Sequence, residues 1–186
     1  YFFLKELSKT GEDVVSAARI AEHFRFDAIK VRKDLAHTGV VGKPKVGFVV
    51  GDLLKAIEHF LGWADMDEAF LVGCGDLGSA LLGYEGFANY GIDILAGFDV
   101  DPAKVGTRVH DKIILPLDKL TSLCQRMHIK IAVLTVPASA AQEVVDMLVA
   151  GGVKGIWNFS PAALRVPEDV VVQQHSMAGA LAILMK

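Results

Sequence analysis

The stretch AFLVGCGDLGSALLGYEGFANYGIDILAGFDVDP, Ala69–Pro102, decides the fold. It opens as a short apolar strand and runs directly into Gly73, Gly75 and Gly78, spaced GxGxxG, with a helix read over SALLGYEGF. Each glycine has a physical reason, in turn a tight bend, close approach of backbone to a pyrophosphate, and close packing of helix on strand. Free N–H groups and the helix dipole favour anions at a helix N-terminus. Gly73, Cys74, Gly75, Asp76, Leu77 and Gly78 are therefore the expected phosphate loop. A second strand, DILAGFD, ends at Asp99, 21 residues beyond Gly78, with Val100 next to it. An acid at that point binds a ribose 2′-hydroxyl and repels a 2′-phosphate, which predicts NAD rather than NADP.

The alternation continues downstream. IKIAVLTVP reads as a buried strand, ASAAQEVVDMLVAG as a helix ended by glycines, VKGIWNFSP and VVVQQ as further strands, and SMAGALAILMK as an apolar helix. Strands alternating with helices at this spacing imply a parallel sheet covered on both faces. Thr135, Val136, Pro137, Phe159 and Ser160 fall just after strand ends, where ligands sit in such sheets. The terminal helix is apolar apart from Ser176 and Lys186. Such a helix must be buried, within its own domain or against a second subunit.

The residues upstream read differently. Phe3, Leu4 and Leu7 place an apolar stripe on a first helix that stops at Gly11. Ser16 is the expected N-cap of SAARIAEHF, whose Ala17, Ile20, Ala21 and Phe24 share a face. After the break RFD, Asp27 is placed to cap AIKVRKDLAH, with Ala28, Val31 and Leu35 inward and Lys30, Lys33 and His37 opposite. Two short helices in this relation, the second with a basic outer face, are a helix-turn-helix. VVGKPKVGFVV, with β-rich arms around a Gly, Lys and Pro tip, reads as a two-stranded wing, and GDLLKAIEHFLGW as a closing helix.

Charge follows the same division. The net charge of −3 conceals 10 basic against 8 acidic residues over 1–62, and 9 against 14 over 63–186. Between Lys30 and Lys45 five basic side chains face the single acid Asp34. A helix presenting Lys30, Arg32, Lys33 and His37, with Ser16 at the neighbouring helix start and Lys43 and Lys45 on the wing, suits the grooves and backbone of double-stranded DNA. A protein-interaction module is the alternative reading of such a helical triad.

Several classes recede on composition. No apolar run approaches the roughly 18 residues of a membrane span. Two cysteines, Cys74 and Cys124, have neither the number nor the spacing for a disulfide framework or a zinc site, and read as buried or half-buried thiols. No signal-peptide pattern opens the chain, whose first residue is Tyr1, so a cytoplasmic protein is expected. A dehydrogenase needs an acid/base group and a substrate domain. His110, His128 and His175 lack a paired carboxylate pattern, and no residues remain for a substrate domain, so no catalytic and no metal-ligating residue is assigned.

The segments RKDL, GKPKVGF, VGCGDLGSALLGY, FDVDPAKVG, PASAAQEVVDMLVAGGVKGIWNFSPAAL and VPEDVVV, in this order, resemble the redox-sensing transcriptional repressors called Rex over nearly the whole chain. The resemblance implies a homodimer whose winged helices bind a palindromic operator, whose Rossmann domains bind NADH or NAD+, and which NADH releases from DNA. It also implies a C-terminal helix that crosses into the partner subunit, and Tyr84 near the nicotinamide. Ser176 and Met177 stand where the family commonly has an acidic and then a bulky apolar residue, so the contact with Tyr84 is expected to change and the preference between NADH and NAD+ to weaken. AHTG stands after RKDL where many members have an aromatic pair, which bears on operator preference.

The expected fold is α/β: an N-terminal winged helix-turn-helix at 1–62, a Rossmann-like doubly wound parallel sheet at 63–173, and a swapped C-terminal helix at 174–186. The expected protein is an NAD(H)-responsive repressor with no membrane partner. Two other classes remain at this point: an NAD-dependent oxidoreductase with a helical appendage, and a DNA-binding protein whose nucleotide site is structural.

Overall fold

A computed structural model describes residues 1–185; Lys186 and the side chains of Met177 and Ala180 lie outside the described residues. The chain divides into two compact units, Tyr1–Asp65 and a second that begins at Met66.

In the first unit, α1 (Phe2–Lys9) buries Leu4 and Leu7. Helix α2 (Ala17–Phe24) starts where the Ser16 hydroxyl accepts the Arg19 N–H, and stops at Arg25, whose φ of 57° is left-handed. Asp27 then caps α3 (Ala28–Ala36) by accepting the N–H groups of Ile29 and Lys30 at 2.8 and 3.0 Å. Phe24, the last residue of α2, does not join the buried face with Ala17, Ile20 and Ala21. It is 44% exposed and meets the rings of Phe3, His23 and Phe26 instead.

The wing also departs from expectation. Its two arms do not pair as a regular hairpin; the tip is closed by a single bridge, Lys43 to Gly47. Strand β2 (Phe48–Val49) pairs antiparallel with β1 (Val14–Val15), a segment whose strand character is too short to show in sequence. Gly47 makes this approach possible: its φ is +104°, and a Cβ there would stand 2.4 Å from the Val15 carbonyl oxygen. Helix α4 (Val50–Phe60) closes the unit with Leu53 fully buried among Leu7, Val15 and Phe48.

The second unit is a seven-stranded sheet. Six parallel strands, β3 (Asp67–Val72), β4 (Ile92–Asp99), β6 (Lys112–Pro116), β7 (Ile131–Leu134), β8 (Gly155–Asn158) and β9 (Val171–Gln174), lie in the spatial order β6-β4-β3-β7-β8-β9. Numbered by sequence this is 3-2-1-4-5-6, the doubly wound order. Strand β5 (Arg108–Val109) adds an antiparallel edge beside β6.

Alternate residues of β3 serve opposite faces. Phe70 and Val72 pack with α6 (Leu120–Met127) and α7 (Ala138–Ala150), through Leu120, Cys124, Val145 and Leu148. Ala69 and Leu71 pack with Leu82 of α5 (Asp76–Leu82). Helix α5 is shorter than SALLGYEGF suggests: it ends before Gly83, and a 3₁₀ turn follows over Glu85–Tyr90. Gly83 lies against the His110 ring, where a Cβ would fall 2.2 Å from it.

The last helix, α8 (Met177–Leu184), is capped by the Ser176 hydroxyl, which accepts the Gly179 N–H at 3.0 Å. Leu181, Ile183 and Leu184 stand exposed on it. Both cysteines are buried and unpaired with each other. Among the described residues no helix is long and apolar enough to cross a membrane, and no cluster of His, Cys, Asp or Glu could hold a metal ion.

Candidate nucleotide pocket and nucleic-acid surface

Strands β3 and β7 are neighbours whose connections leave toward opposite sides of the sheet, and a ligand crevice forms at such a switch point. Beyond their C-terminal ends lies a cavity of about 510 Å³ lined by Val72, Gly73, Gly75, Phe98, Asp99, Val100, Lys104, Leu117, Thr135, Val136, Pro137, Ala140 and Val144. Seven of these, Gly73, Gly75, Asp99, Val100, Thr135, Val136 and Pro137, are residues the sequence singles out.

The glycine loop has three tethers. Gly73 N–H donates to the Phe98 carbonyl at 2.8 Å, and the Thr135 hydroxyl donates to the Gly73 carbonyl at 2.6 Å. The third is Asp99, whose Oδ2 accepts the Cys74 N–H at 2.8 Å. Gly73 has φ +96° and no space for a side chain beside Thr135 and Val136, while a Cβ on Gly78 would lie 1.8 Å from the Gly73 carbonyl. Gly75 differs from both: nothing stands within 4 Å of where its Cβ would be. It is also the N-cap of α5, with no side chain in the capping role. Open space over an uncapped helix start fits a dinucleotide pyrophosphate.

Asp99 does more than face the cavity. Its Oδ1 accepts the Asp101 N–H at 2.9 Å, and Lys104 Nζ lies 3.5 Å from Oδ2. Burial works against the charged form, but the backbone donors of Asp101 and Cys74 and the Lys104 ammonium prevail and hold the carboxyl below the usual aspartate range. Cys74 contributes its backbone only. Its thiol is buried against the Phe98 carbonyl, and burial reinforced by the Asp99 charge pushes it up to about 11.

The remaining residues of the expected phosphate loop lie outside the cavity lining. Asp76 is exposed in the first turn of α5, Leu77 is half-buried, and Gly78 is the contact between helix and loop. Phe159 and Ser160 follow β8, with Ser160 buried and its carbonyl accepting the Gln174 side chain at 2.8 Å. Ser176 caps α8, and the Met177 side chain lies outside the described residues. Tyr84 lines a different cavity, about 230 Å³, with Phe87, Asp93, His110 and Lys112. A chain of rings nevertheless joins it to the strand ends: Tyr84 to Phe87 at 4.9 Å, Phe87 to Trp157 at 5.7 Å, Trp157 to Phe159 at 4.7 Å, and Phe159 to His175 at 5.1 Å. Sequence spacing does not point to Lys104, Leu117 or Ala140; the DPAK turn after Asp99 is the signal that could have found Lys104.

In the first unit, Lys30, Arg32, Lys33, His37, Lys43 and Lys45 are all exposed. Arg32, Lys43 and Lys45 border a groove of about 650 Å³ that begins at Ser16 and runs past Ala36 and Val40. Lys30, Lys33 and His37 lie outside that groove on α3, Lys30 with its ammonium 6.0 Å from the Phe26 ring centre.

Known proteins share this arrangement. A family model described as CoA binding domain matches residues 65–162. The redox-sensing transcriptional repressor Rex of Bacteroides thetaiotaomicron is 41% identical over 181 residues, 97% of this chain and 82% of that protein. The same repressor of Treponema denticola is 43% identical over 172 residues, 92% of this chain and 82% of its own. This chain belongs to the Rex family. Among solved structures, RSP in complex with beta-NAD+ and operator DNA covers 98% of this Rex chain and 84% of its own at 29% identity, with a TM-score of 0.93. RSP in complex with beta-NADH matches at 28% identity and a TM-score of 0.88, over 98% of this Rex chain and 86% of its own.

Proposed function

We propose that this Rex chain represses transcription as a homodimer that binds palindromic operator DNA and leaves it when NADH binds. The observation that carries the reading is the presence, in one chain, of a glycine-loop cavity ending on Asp99 and a helix-turn-helix whose exposed basic residues cluster between Lys30 and Lys45. Residues 1–62 are the DNA-binding domain, 63–173 the NAD(H) domain, and 174–186 the dimer-forming segment that carries α8. Lys30, Arg32, Lys33 and His37 contact DNA from α3, Lys43 and Lys45 from the wing, and Ser16 from the start of α2.

In the pocket, Gly75 and its neighbours hold the pyrophosphate, Asp99 and Val100 the adenosine ribose, and Thr135, Val136 and Pro137 the middle of the dinucleotide. Tyr84, Phe159, Ser160, Ser176 and Met177 serve the nicotinamide side, where the two redox forms differ by one formal charge. The relatives, named as transcriptional repressors, support a sensor over a dehydrogenase. A cytoplasmic location goes with the role. The test is operator affinity at saturating NADH, saturating NAD+ and no nucleotide, at one salt concentration. Release by NADH is expected, and identical affinities in all three conditions would falsify the sensor reading.

A further inference from the structure

The end of β4 holds more than one aspartate. Asp99, with a side chain 10% exposed, has the Cys74 N–H at 2.8 Å and Lys104 Nζ at 3.5 Å on Oδ2, and the Asp101 N–H at 2.9 Å on Oδ1. Lys104 Nζ also stands 4.0 Å from Asp101 Oδ2. Backbone bonds set its place: the Asp101 carboxylate accepts the Ala103 N–H at 2.9 Å, and the Lys104 N–H donates to the Asp101 carbonyl at 3.0 Å. This turn brings the lysine back beside the strand end, where it lines the same cavity as Gly73, Gly75 and Asp99.

A ribose diol and a ribose 2′-phosphate ask opposite things of this corner. The diol donates to a carboxylate, whereas the phosphate needs charged donors and is repelled by uncompensated negative charge. An isolated Asp99 would supply only repulsion. Here Asp99 is engaged by two backbone N–H groups and an ammonium, and an ammonium has three donors, one more than its two carboxylate contacts use. Three formal charges, two negative and one positive, leave the corner slightly negative, so NAD(H) remains preferred.

We propose that Lys104 is a specificity-determining residue at the adenosine ribose. It supplies the cation that a 2′-phosphate requires, so NADP(H) is excluded less strongly than Asp99 alone would impose. The inference rests on the cavity being the NAD(H) site.

The experiment titrates NADH and NADPH separately into the full chain and into Lys104→Met, which keeps an unbranched apolar side chain and removes the charge. Binding is followed by nucleotide fluorescence over a salt series. Removing the charge should weaken NADPH by about tenfold more than NADH, with the loss of a charge-assisted contact that only the 2′-phosphate makes. In the unsubstituted chain NADPH binding should fall more steeply with salt than NADH binding, and the variant should lose that difference. Equal weakening of both nucleotides, or an unchanged or narrowed ratio, overturns the proposal. Should Lys104→Met melt early, Lys104→Arg must keep NADPH binding, and parallel salt slopes in the unsubstituted chain would then count against it. Failure of the unsubstituted chain to bind NADH overturns the site itself, a result distinct from NADH bound with an unshifted ratio.

Discussion

Asp99, the proposed reader of ribose, is also a latch on the glycine loop, and the second role changes what its removal should do. Relief of repulsion alone would make Asp99→Ala more tolerant of a 2′-phosphate. The carboxylate also satisfies the Cys74 and Asp101 N–H groups, and an abandoned buried donor costs about 1–3 kcal/mol. Asp99→Ala should therefore weaken NADH and NADPH together by roughly tenfold or more and lower the melting temperature, with Asp99→Asn losing less because an acceptor remains. Calorimetric titration and melting of the two variants check this. The thiols make a second residue-scale prediction. Burial pushes Cys124, like Cys74, up to about 11 from an ordinary 9.0. A raised thiol value contributes stability that is present below pH 9 and lost as pH rises from 9 toward 11. At pH 8 iodoacetamide should label neither cysteine until the protein unfolds; labelling at the rate of a free thiol would contradict their burial.

Two elements present surfaces that one chain does not cover. The Lys43–Gly47 tip carries Lys43 and Lys45 exposed on its surface, and an ammonium on a long flexible stem suits phosphate rather than base edges. Replacing both by Ala should weaken binding to many DNA sequences alike and flatten the salt dependence by about one unit per lost phosphate contact. Unchanged affinity and salt slope would remove the wing from the interface. Helix α8 is the other element: Ile183 and Leu184 are 76% and 81% exposed, a cost in water that burial against a second copy relieves. A chain ending at Gln174 should sediment as a monomer and lose palindromic DNA, where two half-sites demand two reading heads. A truncated chain that remains a DNA-binding dimer would assign the interface elsewhere.

At the scale of the whole molecule, a nucleotide can alter DNA binding only through unequal affinity for the DNA-competent and DNA-incompetent states. Moving the dimer from 99% competent to 99% incompetent takes about 5.5 kcal/mol, or roughly 2–3 kcal/mol from each of two sites. The adenosine half is the same in NADH and NAD+, so this difference must arise at the nicotinamide side. The ring chain from Tyr84 to His175 ends one residue before Ser176, the cap of α8, and on the proposed reading it links the nicotinamide side to the dimer helix. With Ser176 where the resemblance implies an acid, the ratio of operator affinities in NADH and NAD+ should be smaller than in members that carry an acid there, with release by NADH retained.

Sequence by itself determined the elements whose signal is local. The GxGxxG spacing, the acid at the end of DILAGFD, the caps Ser16 and Asp27 and the apolar period of each helix depend on neighbours a few residues away, and the chain folds accordingly. Tertiary structure decided what depends on residues far apart. β2 pairs with β1 across more than thirty residues because Gly47 admits the Val15 carbonyl, and the His110 ring takes the space that a side chain at position 83 would need. Lys104 enters the pocket because a turn after β4 folds it back onto Asp99, and Tyr84 lines a cavity apart from the glycine loop, with Phe87, Asp93, His110 and Lys112. Local periodicity records which face of an element is apolar; steric exclusion and long-range hydrogen bonds, which periodicity does not record, choose what that face meets.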